Sequence, residues 1–312
     1  MDNRPIPLIC IAGPTATGKT RLAAEVAHRI HGAVISADSR QVYRGMDIGT
    51  GKDLEEYTVE GEPVPHYLID ILDAGEAYNV FEYRRDFDKV YKVLKEAGTP
   101  AVLCGGSGMY IEAVLKNYTL HEVPRNETLR EQLSDKSMEE LTEMLQQYIR
   151  LHNHTDTETR ERLLRALEIQ AYYHEHGLKQ AEERPEHLLF YMDYPRPLLR
   201  ERITRRLHQR LETGMVEEVQ QLLDKGLQPE QLTYYGLEYK WITLYLCGEI
   251  AYEEMVGKLN TAIHQFAKRQ ETWFRHMEKN GFTLIRIDGC LELERKVEMV
   301  LRKLDEYNKK AI

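Results

Sequence analysis

The feature that most constrains this chain is a glycine-rich octapeptide, GPTATGKT, close to its first residues. It matches the phosphate-loop pattern GxxxxGK(S/T) at every fixed position, between an apolar run, Pro7–Ala12, and a segment with helical apolar spacing. A chance match in a turn would lack this strand–loop–helix context. The chain is therefore expected to form a parallel α/β sheet with this loop at one edge. The loop consists of Gly13, Pro14, Thr15, Ala16, Thr17, Gly18, Lys19 and Thr20.

The fixed residues of the loop suit the binding of phosphate. Glycines let the backbone curl so that its N–H groups point inward, and the N-terminus of the following helix adds partial positive charge. Lys19 supplies a cation for terminal phosphate oxygens, and the Thr20 hydroxyl is a ligand for Mg²⁺. The motif is of the nucleotide-binding (ATP-binding) kind. It predicts a bound phosphate compound, but neither its identity nor whether a phosphoryl group moves.

Further along the chain, short apolar runs alternate with helical periodicity. Strands are predicted at Ala33–Ser36, Tyr67–Leu72 and Pro100–Cys104, and a helix at Asn79–Ala97. Alternation of this kind predicts a parallel sheet that is covered on both faces. The expected fold class is therefore α/β: a P-loop NTPase-like parallel sheet with helices on both faces, plus an all-helical insertion domain.

The insertion is expected where the strand signal fades, from Asn117 to about Pro185. Ser137 and Glu140 form a capping-box pattern that predicts a helix start, and a second helix is predicted at about 157–176. We expect a catalytic core of residues 1–116 and 187–312 and a helical insertion of residues 117–186. The later core is predicted to contain a strand at Leu188–Met192, helices at Leu198–Lys225 and Tyr252–Lys279, a strand at Phe282–Ile287 and a final helix.

Composition and charge argue against several classes of protein. No apolar run approaches the roughly 20 residues of a membrane-spanning helix, and the first residues lack a signal-peptide pattern. We therefore expect a cytoplasmic protein without membrane association. The formal net charge of −9 argues against a general nucleic-acid binder. The four cysteines lack metal-ligand spacing and are expected to be free buried thiols, and the histidines form no credible metal set.

Two further polar positions follow predicted strands. Asp38 lies just beyond Ala33–Ser36, and Ser107 lies in the glycine loop Gly105–Gly108. Ligands of an open α/β sheet bind at the carboxyl ends of its strands, so both side chains are expected near the phosphate loop. There Asp38 can accept a proton from a nucleophile or cap a helix. The glycines can approach a ligand closely or merely form a tight turn.

Three clusters of basic residues stand out in this acidic chain. In the first cluster, Arg202 and Arg206 are four residues apart and share a helix face, which suits a diphosphate or a nucleic-acid backbone. Each cluster taken alone is more typical of a solvated helix face, and the three together are harder to explain in that way. The clusters are Arg196, Arg200, Arg202, Arg205, Arg206 and Arg210; Arg160, Arg162 and Arg165; and Lys268, Arg269, Trp273, Arg275 and Lys279.

In combination, these motifs resemble the tRNA dimethylallyltransferase (tRNA isopentenyltransferase) family. The resemblance covers nearly the whole chain, and only its first motif is widely shared among P-loop proteins. The markers are GPTATGKT at Gly13–Thr20, ISADSRQVYRGMDIGT at Ile35–Thr50, PHYLIDI at Pro65–Ile71, GGSGMYI at Gly105–Ile111, RLLRALEI at Arg162–Ile169 and AKRQETWFR at Ala267–Arg275.

The resemblance implies a reaction. A dimethylallyl group passes from dimethylallyl diphosphate to the exocyclic amine of the adenosine 3′ of the tRNA anticodon, and diphosphate leaves with the help of Mg²⁺. The phosphate loop would hold the leaving group, with Thr20 as a metal ligand. Asp38 matches the family's base, Ser107 matches a position that is usually threonine, and Arg206 matches the arginine that stabilises the diphosphate.

The resemblance also implies how tRNA binds. The target base is expected to flip out of the anticodon loop into a channel, since a stacked base cannot be reached. The helical insertion resembles the family's domain that grips the anticodon stem-loop, and a monomer is expected. Candidates for contacts with tRNA are Asp38, Ser39, Arg40, Gln41, Arg130, Arg162 and Arg165.

Two stretches depart from the family pattern. Gly51-Lys52-Asp53 stands where the family usually has Ala-Lys-Pro, and Tyr234–Lys240 stands where it usually has a Gly-Tyr-Lys stretch. A contact with tRNA is therefore expected to differ at the second stretch.

Three other functions are to be weighed against this one. An adenylate isopentenyltransferase would share the core and the donor but use a free nucleotide, whereas the helical insertion and the arginine clusters favour tRNA. A small-molecule kinase would move a phosphoryl group from ATP, and it has no reason to share the Ser107 loop or the AKRQETWFR helix. A non-catalytic RNA-binding protein would not need Lys19, Thr20 and Asp38 intact.

Overall fold

The chain forms two compact units. The computed structural model describes residues 6–116, 123–148, 157, 159–176 and 186–310. The first unit consists of Met1–Lys116 and Arg184–Ile312, and the second of Asn117–Glu183. The strands of the described residues all belong to the first unit.

A parallel sheet is the centre of the first unit. The strands of the described residues are β1 (Leu8–Ala12), β2 (Ala33–Ser36), β3 (Thr58–Val59), β4 (Glu62–Pro63), β5 (His66–Tyr67), β6 (Ala101–Gly105), β7 (His187–Asp193) and β8 (Leu284–Asp288). Within this described part, six strands form one sheet in the order β5-β2-β6-β1-β7-β8, with parallel pairing throughout. β3 and β4 form a separate antiparallel hairpin. The phosphate loop therefore leaves the carboxyl end of an interior strand of the sheet.

Helices cover both faces of this sheet, which confirms the predicted fold class. The alternation along β1 makes this visible, because Leu8, Cys10 and Ala12 belong to one hydrophobic cluster and Ile9 and Ile11 belong to another. The helices are α1 (Lys19–Arg29), α2 (Val80–Glu96), α3 (Gly108–Leu115), α4 (Glu127–Gln132), α5 (Met138–Tyr148), α6 (Arg160–Glu175), α7 (Arg196–Glu212), α8 (Met215–Asp224), α9 (Pro229–Leu232), α10 (Leu237–Leu246), α11 (Tyr252–Lys279) and α12 (Leu293–Lys310), with a 3₁₀ turn at Leu54–Tyr57.

The single long helix predicted at Leu198–Lys225 is wrong, because the segment forms two helices, α7 and α8. Gly214 separates them with a φ of 104°, a left-handed conformation that costs glycine little. After this break, the Glu218 carboxylate of α8 accepts hydrogen bonds from the backbone N–H groups of Asp47, Ile48 and Gly49, at 2.7 to 3.0 Å. The break thus allows α8 to hold the loop that follows Asp38.

The strand predicted at Tyr67–Leu72 is also wrong in its extent. Only His66–Tyr67 pairs with β2, as the edge strand β5. Leu68 and Asp70 have φ values of 62° and 54°, which a β-strand cannot contain. A single bridge from Tyr43 to Leu72 continues the contact beyond this turn.

In the second unit, α4, α5 and α6 pack around a small leucine core. The capping box predicted at Ser137 and Glu140 is confirmed: the Glu140 N–H donates to the Ser137 hydroxyl at 3.2 Å, and the Ser137 N–H donates to the Glu140 carboxylate at 2.8 Å. The helix predicted at about 157–176 is α6, which Thr159 caps. The buried core consists of Leu133, Leu141, Leu145, Leu163, Leu164 and Leu167.

The cysteines are all free, as predicted, although only Cys10 and Cys104 are buried and Cys247 and Cys290 are exposed. Among the helices described above, none combines the length and apolarity that crossing a membrane requires.

Candidate active site

Three loops meet at the carboxyl edge of the sheet. The phosphate loop follows β1, the segment with Asp38 follows β2, and the glycine loop with Ser107 follows β6. Because β2, β6 and β1 are adjacent strands, these loops are neighbours in space. The Ser107 N–H donates to the Ala37 carbonyl at 3.2 Å, and a Cβ at Gly105 would collide with that carbonyl. A glycine is thus required where β6 passes under the segment that carries Asp38.

Polar side chains of the phosphate loop close onto its own backbone. Lys19 Nζ donates to the Pro14 carbonyl at 2.6 Å, and the Thr17 hydroxyl donates to the same oxygen at 2.8 Å. Gly18 precedes α1 with a left-handed φ of 76° and makes no side-chain capping bond to it. The first N–H groups of α1 therefore remain available to an anion.

Lys19 lies in an environment that disfavours its own charge. Burial lowers the pKa of Lys19 to about 8, Arg206 acts in the same direction, and Cys104 and Asp38 oppose the shift. The Lys19 ammonium is thus influenced by the charges of both the Arg206 guanidinium and the Asp38 carboxylate. A bound anion would raise the pKa of Lys19 again, because a nearby negative charge stabilises the ammonium form.

This pKa predicts how the loop binds inorganic pyrophosphate. Below about pH 8 the free protein carries a charged Lys19, and above it the charge is progressively lost. Affinity should therefore fall above that value, by up to roughly tenfold per pH unit, because binding must then recruit a proton. Calorimetric titration with pyrophosphate at several pH values measures this. In Lys19→Arg the fall should be absent, since arginine stays charged, and an identical pH profile would contradict the assignment.

Gln270 of α11 connects two of the three loops, and the sequence analysis gave it no role. Its side-chain oxygen accepts from the Thr15 N–H at 2.9 Å, and its amide nitrogen donates to the Gly106 carbonyl at 2.9 Å. The residue is buried. It lies inside the marker AKRQETWFR, but that motif alone does not say which backbone atoms it meets. Gln270 therefore fixes the spacing between the phosphate loop and the Ser107 loop.

Replacing Gln270 by leucine should destabilise the protein by about 1–3 kcal/mol, because a partly buried N–H and a buried carbonyl lose their partner. Urea unfolding measures the loss. Gln265→Leu on the same helix is the matched control, since Gln265 is exposed. Equal stability of the two variants would show that the bridge has no energetic weight.

Asp38 has one oxygen committed and one available. Its Oδ1 accepts from the Arg40 N–H at 2.9 Å, which stabilises a turn. No helix of the described residues begins there, so Asp38 is not the helix cap that the sequence left open. Beside it, the Ser107 hydroxyl accepts from the Ser39 N–H at 3.2 Å. Among the described residues, no hydrogen bond to Asp38 Oδ2 is found. The carboxylate is thus oriented by its own turn while a second oxygen stays available.

The residues after Asp38 differ in their surroundings. Gln41 is buried: its side-chain oxygen accepts from the Ser36 hydroxyl at 3.1 Å, and its amide donates to the Gly51 carbonyl at 3.0 Å. The Arg40 guanidinium lies 5.3 Å from the ring centroid of Tyr234, which is exposed. Gln41 therefore holds the loop from below, whereas Arg40 and Tyr234 form its outer surface.

The arginines of α7 point in two directions. Arg202 donates to the Ala16 carbonyl at 2.9 Å, so it supports the phosphate loop from outside. One and two turns further along, Arg206 and Arg210 lie over Gly51, where any Cβ would collide with both guanidinium groups. On the other side, Arg196 and Arg200 line a groove of about 290 Å³ between α7 and α11. The predicted Arg202–Arg206 pair is thus divided between the loop backbone and the site.

In the second unit, Arg130 and Arg165 meet carboxylates. Arg130 lies 2.6 Å from the buried Glu168 and 2.8 Å from Glu161, and Arg165 lies 3.2 Å from Glu168. The two pairs of Arg130 join α4 to α6, and the Arg165–Glu168 pair lies within α6. Arg162 lies on the exposed side of α6. A nucleic-acid phosphate would have to compete with these carboxylates for Arg130.

Comparison with known proteins identifies the family. The model described as "IPP transferase" matches residues 41–277 of this chain. The chain belongs to the IPP transferase family. It is therefore an enzyme of the prenyltransferase class. The family match begins at Gln41, so the phosphate loop and Asp38 precede it.

Relatives of this IPP transferase extend the match across nearly its full length. A protein of Bacteroides fragilis named tRNA dimethylallyltransferase 2 is 54% identical, over 96% of this chain and 98% of its own. A protein of Parabacteroides distasonis named tRNA dimethylallyltransferase 1 is 52% identical, over 96% of this chain and 97% of its own. Both alignments are too long to leave out the phosphate-loop region as a whole.

Solved structures agree with this assignment of the IPP transferase. The tRNA isopentenylpyrophosphate transferase of Bacillus halodurans is 30% identical and superposes with a TM-score of 0.71, covering 98% of this chain and 99% of its own. A eukaryotic dimethylallyltransferase acting on tRNA has a TM-score of 0.72 at 22% identity, covering 89% of this chain and 73% of its own, and shares the fold.

Proposed function

We propose that this enzyme transfers a dimethylallyl group from dimethylallyl diphosphate to the exocyclic amine of the adenosine 3′ of the anticodon in tRNA, releasing diphosphate. The observation that carries the proposal is that the phosphate loop, the Ser107 loop and the Asp38 segment follow adjacent strands at one edge of the sheet. Gln270 bonds both the phosphate loop and the Ser107 loop, and Ser107 bonds the Asp38 segment. A site for a diphosphate and a proton acceptor are thus adjacent, in a chain of the IPP transferase family.

The diphosphate is the leaving group of the reaction. It lies in the phosphate loop, where the N–H groups of α1 and the Lys19 ammonium face it. Arg206 completes the site: it is half-buried and forms no ion pair with the described residues, so its guanidinium is available to the anion. Charge that develops on the departing oxygen is stabilised by groups that are already in place.

Asp38 is the proton acceptor. The adenosine amine attacks the first carbon of the prenyl group, the carbon–oxygen bond to diphosphate breaks, and the surplus proton of the amine passes to the carboxylate. The turn bond from the Arg40 N–H occupies Oδ1, which leaves Oδ2 for this proton. The Ser107 hydroxyl, bonded to the Ser39 N–H, borders the same position.

Mg²⁺ fits the donor set at the phosphate loop. The described residues contain no group of three or more His, Cys, Asp or Glu side chains that could cage an ion. Magnesium suits the phosphate loop, because this ion binds through one or two protein oxygens together with substrate phosphates. Thr20, at the start of α1, would supply the hydroxyl ligand, and the ion would neutralise diphosphate charge.

The helical unit, residues 117–186 in our prediction, is proposed to grip the anticodon stem-loop. A base inside the loop must leave its stack before its amine can reach a carboxylate. Arg162 on the exposed side of α6 suits a backbone contact, as does Arg40 beside Tyr234 in the core. Arg130 and Arg165 are less accessible, since Glu168 contacts both. A cytosolic monomer is the form expected to meet its tRNA.

One assay tests the proposal. Purified protein with Mg²⁺ is incubated with labelled dimethylallyl diphosphate and unmodified tRNA, AMP or no acceptor. Label is expected in tRNA alone, at the adenosine 3′ of the anticodon. Label in AMP but not in tRNA would replace the proposal by an adenylate prenyltransferase. Hydrolysis of ATP in a parallel reaction that contains it, without any prenyl transfer, would instead indicate a kinase.

A further inference from the structure

Four charged side chains meet beside the phosphate loop. Arg206 and Arg210 project from α7 over Gly51, Asp53 follows two residues later, and Glu238 lies in the first turn of α10. Both arginines and Glu238 line one small cavity of about 20 Å³, together with Thr15 and Ala16 of the phosphate loop. The cluster therefore borders the candidate diphosphate site directly.

The two guanidinium groups repel each other. Burial, followed by the charge of Arg210, lowers the pKa of Arg206 to about 10. Asp53 compensates Arg210, since its carboxylate lies 3.1 Å from that guanidinium. Arg206 has no such partner among the described residues, so its charge must be offset from a distance, by the carboxylates of Asp53, Glu238 and Glu56.

Glu238 supplies one of these negative charges at a distance. Burial raises the pKa of its carboxyl group, and Arg210 and Arg206 oppose this rise. None of the ion pairs of the described residues includes Glu238, so its carboxylate acts on the arginines across the cavity and not through a direct bond. A glutamate whose only role was to stabilise the N-terminus of α10 through the helix dipole would not need to line this cavity, because a solvent-exposed carboxylate stabilises a helix N-terminus as well.

We propose that Glu238 is a positioning residue for Arg206. Together with Asp53 and Glu56 it offsets the two guanidinium charges, so that Arg206 stays directed at the diphosphate instead of being driven toward solvent by Arg210. Gly51 provides the space for both guanidinium groups. Gly51, Asp53 and Glu238 all lie in the two stretches that depart from the family pattern, so these departures form one coupled set. The inference rests on the proposed function, which supplies the diphosphate.

Charge balance makes a signed prediction for pyrophosphate binding. Glu238→Gln leaves an excess positive charge beside the site and should tighten binding roughly tenfold, the effect of one charge at several ångströms in a partly screened site. The turnover number should fall in the same variant, because Arg206 is no longer held in place. Tighter binding with slower turnover is a combination that simple loss of folding does not produce.

The compensating variant is Arg210→Met. Alone it should weaken pyrophosphate binding by a similar factor, because the set loses one positive charge. Combined with Glu238→Gln it restores the balance, and affinity should return to within about threefold of the parent enzyme. Glu201→Gln on α7 is the matched control: it changes the net charge equally but is exposed, so binding should not change.

Calorimetric titration with pyrophosphate and steady-state prenyl transfer, both on the full chain with Mg²⁺, measure these effects. Unchanged or weaker pyrophosphate binding in Glu238→Gln would overturn the inference. So would a double variant whose pyrophosphate affinity does not return toward that of the parent enzyme. If Glu238→Gln does not fold, Glu238→Asp is the second variant, because its shorter side chain keeps the negative charge but moves it away from the two arginines. A turnover number like that of the parent enzyme would then also overturn the inference. Failure of the parent enzyme to bind pyrophosphate would instead refute the proposed function.

Discussion

Asp38→Asn is expected to slow prenyl transfer by about 10²–10⁴-fold, the range that a positioned general base contributes. The amide keeps the shape of the side chain, and its oxygen can still accept the Arg40 N–H that now bonds Oδ1. Only the capacity to take a proton from the adenosine amine is lost. The rate of a single turnover with labelled donor and saturating tRNA measures the effect, and the affinity for tRNA should stay close to that of the parent enzyme.

Asp38→Ala separates the base from the turn. It removes the bond to the Arg40 N–H as well, so it should slow the reaction comparably and also cost about 0.5–2 kcal/mol of stability, as the loss of a capping side chain does. If Asp38→Asn lost tRNA affinity and rate by the same factor, the residue would be a binding group and not the base.

Arg206→Ala should lower kcat/KM for transfer by a free energy of about 2–4 kcal/mol, the cost of removing one preorganised electrostatic donor from a transition state. Its guanidinium is half-buried at the edge of the phosphate loop and forms no direct ion pair with a carboxylate of the described residues. Nothing else therefore replaces it when charge builds up on the departing diphosphate. Kinetics with varied dimethylallyl diphosphate, together with pyrophosphate titration, measure the loss.

Arg205→Ala is the control for that experiment. Arg205 is the preceding residue of α7, but it is exposed and lies 3.8 Å from Glu201. Its removal changes the net charge by the same amount without touching the site, so transfer should be nearly unaffected. Equal losses in the two variants would mean that α7 acts through its overall positive charge and not through Arg206.

The sequence was sufficient to predict what local patterns determine. A complete phosphate-loop motif between strand and helix predicts both its geometry and its place at the sheet edge. Asp38 follows β2 and Ser107 follows β6, and these strands lie side by side next to β1. Their proximity to the phosphate loop could therefore be predicted from the rule that ligands of a parallel sheet bind at the carboxyl ends of its strands. The break at Gly214 was missed, because a single glycine inside an apolar helical pattern is often tolerated.

Contacts between distant parts of the chain were beyond local patterns. The Gln270 bonds span 255 and 164 residues, and no periodicity indicates which backbone groups a buried amide will meet. The charge set of Arg206, Arg210 and Glu238 likewise depends on how α8 and α11, which contact α10, bring its first turn to the cavity that α7 lines. In the sequence, Glu238 was visible only as part of a departure from the family pattern, without a partner or a sign of its effect.

The Gln270 bridge has a consequence for synthesis of the protein. The phosphate loop leaves the ribosome before α11 does, because the amide that sets its spacing from the Ser107 loop is translated 255 residues after Thr15. A nascent chain that lacks α11 carries the complete motif without its fastening. The spacing between the phosphate loop and the Ser107 loop is therefore fixed only after α11 has been made. A premature stop before this helix yields a product with the complete phosphate-loop motif but without the two Gln270 hydrogen bonds.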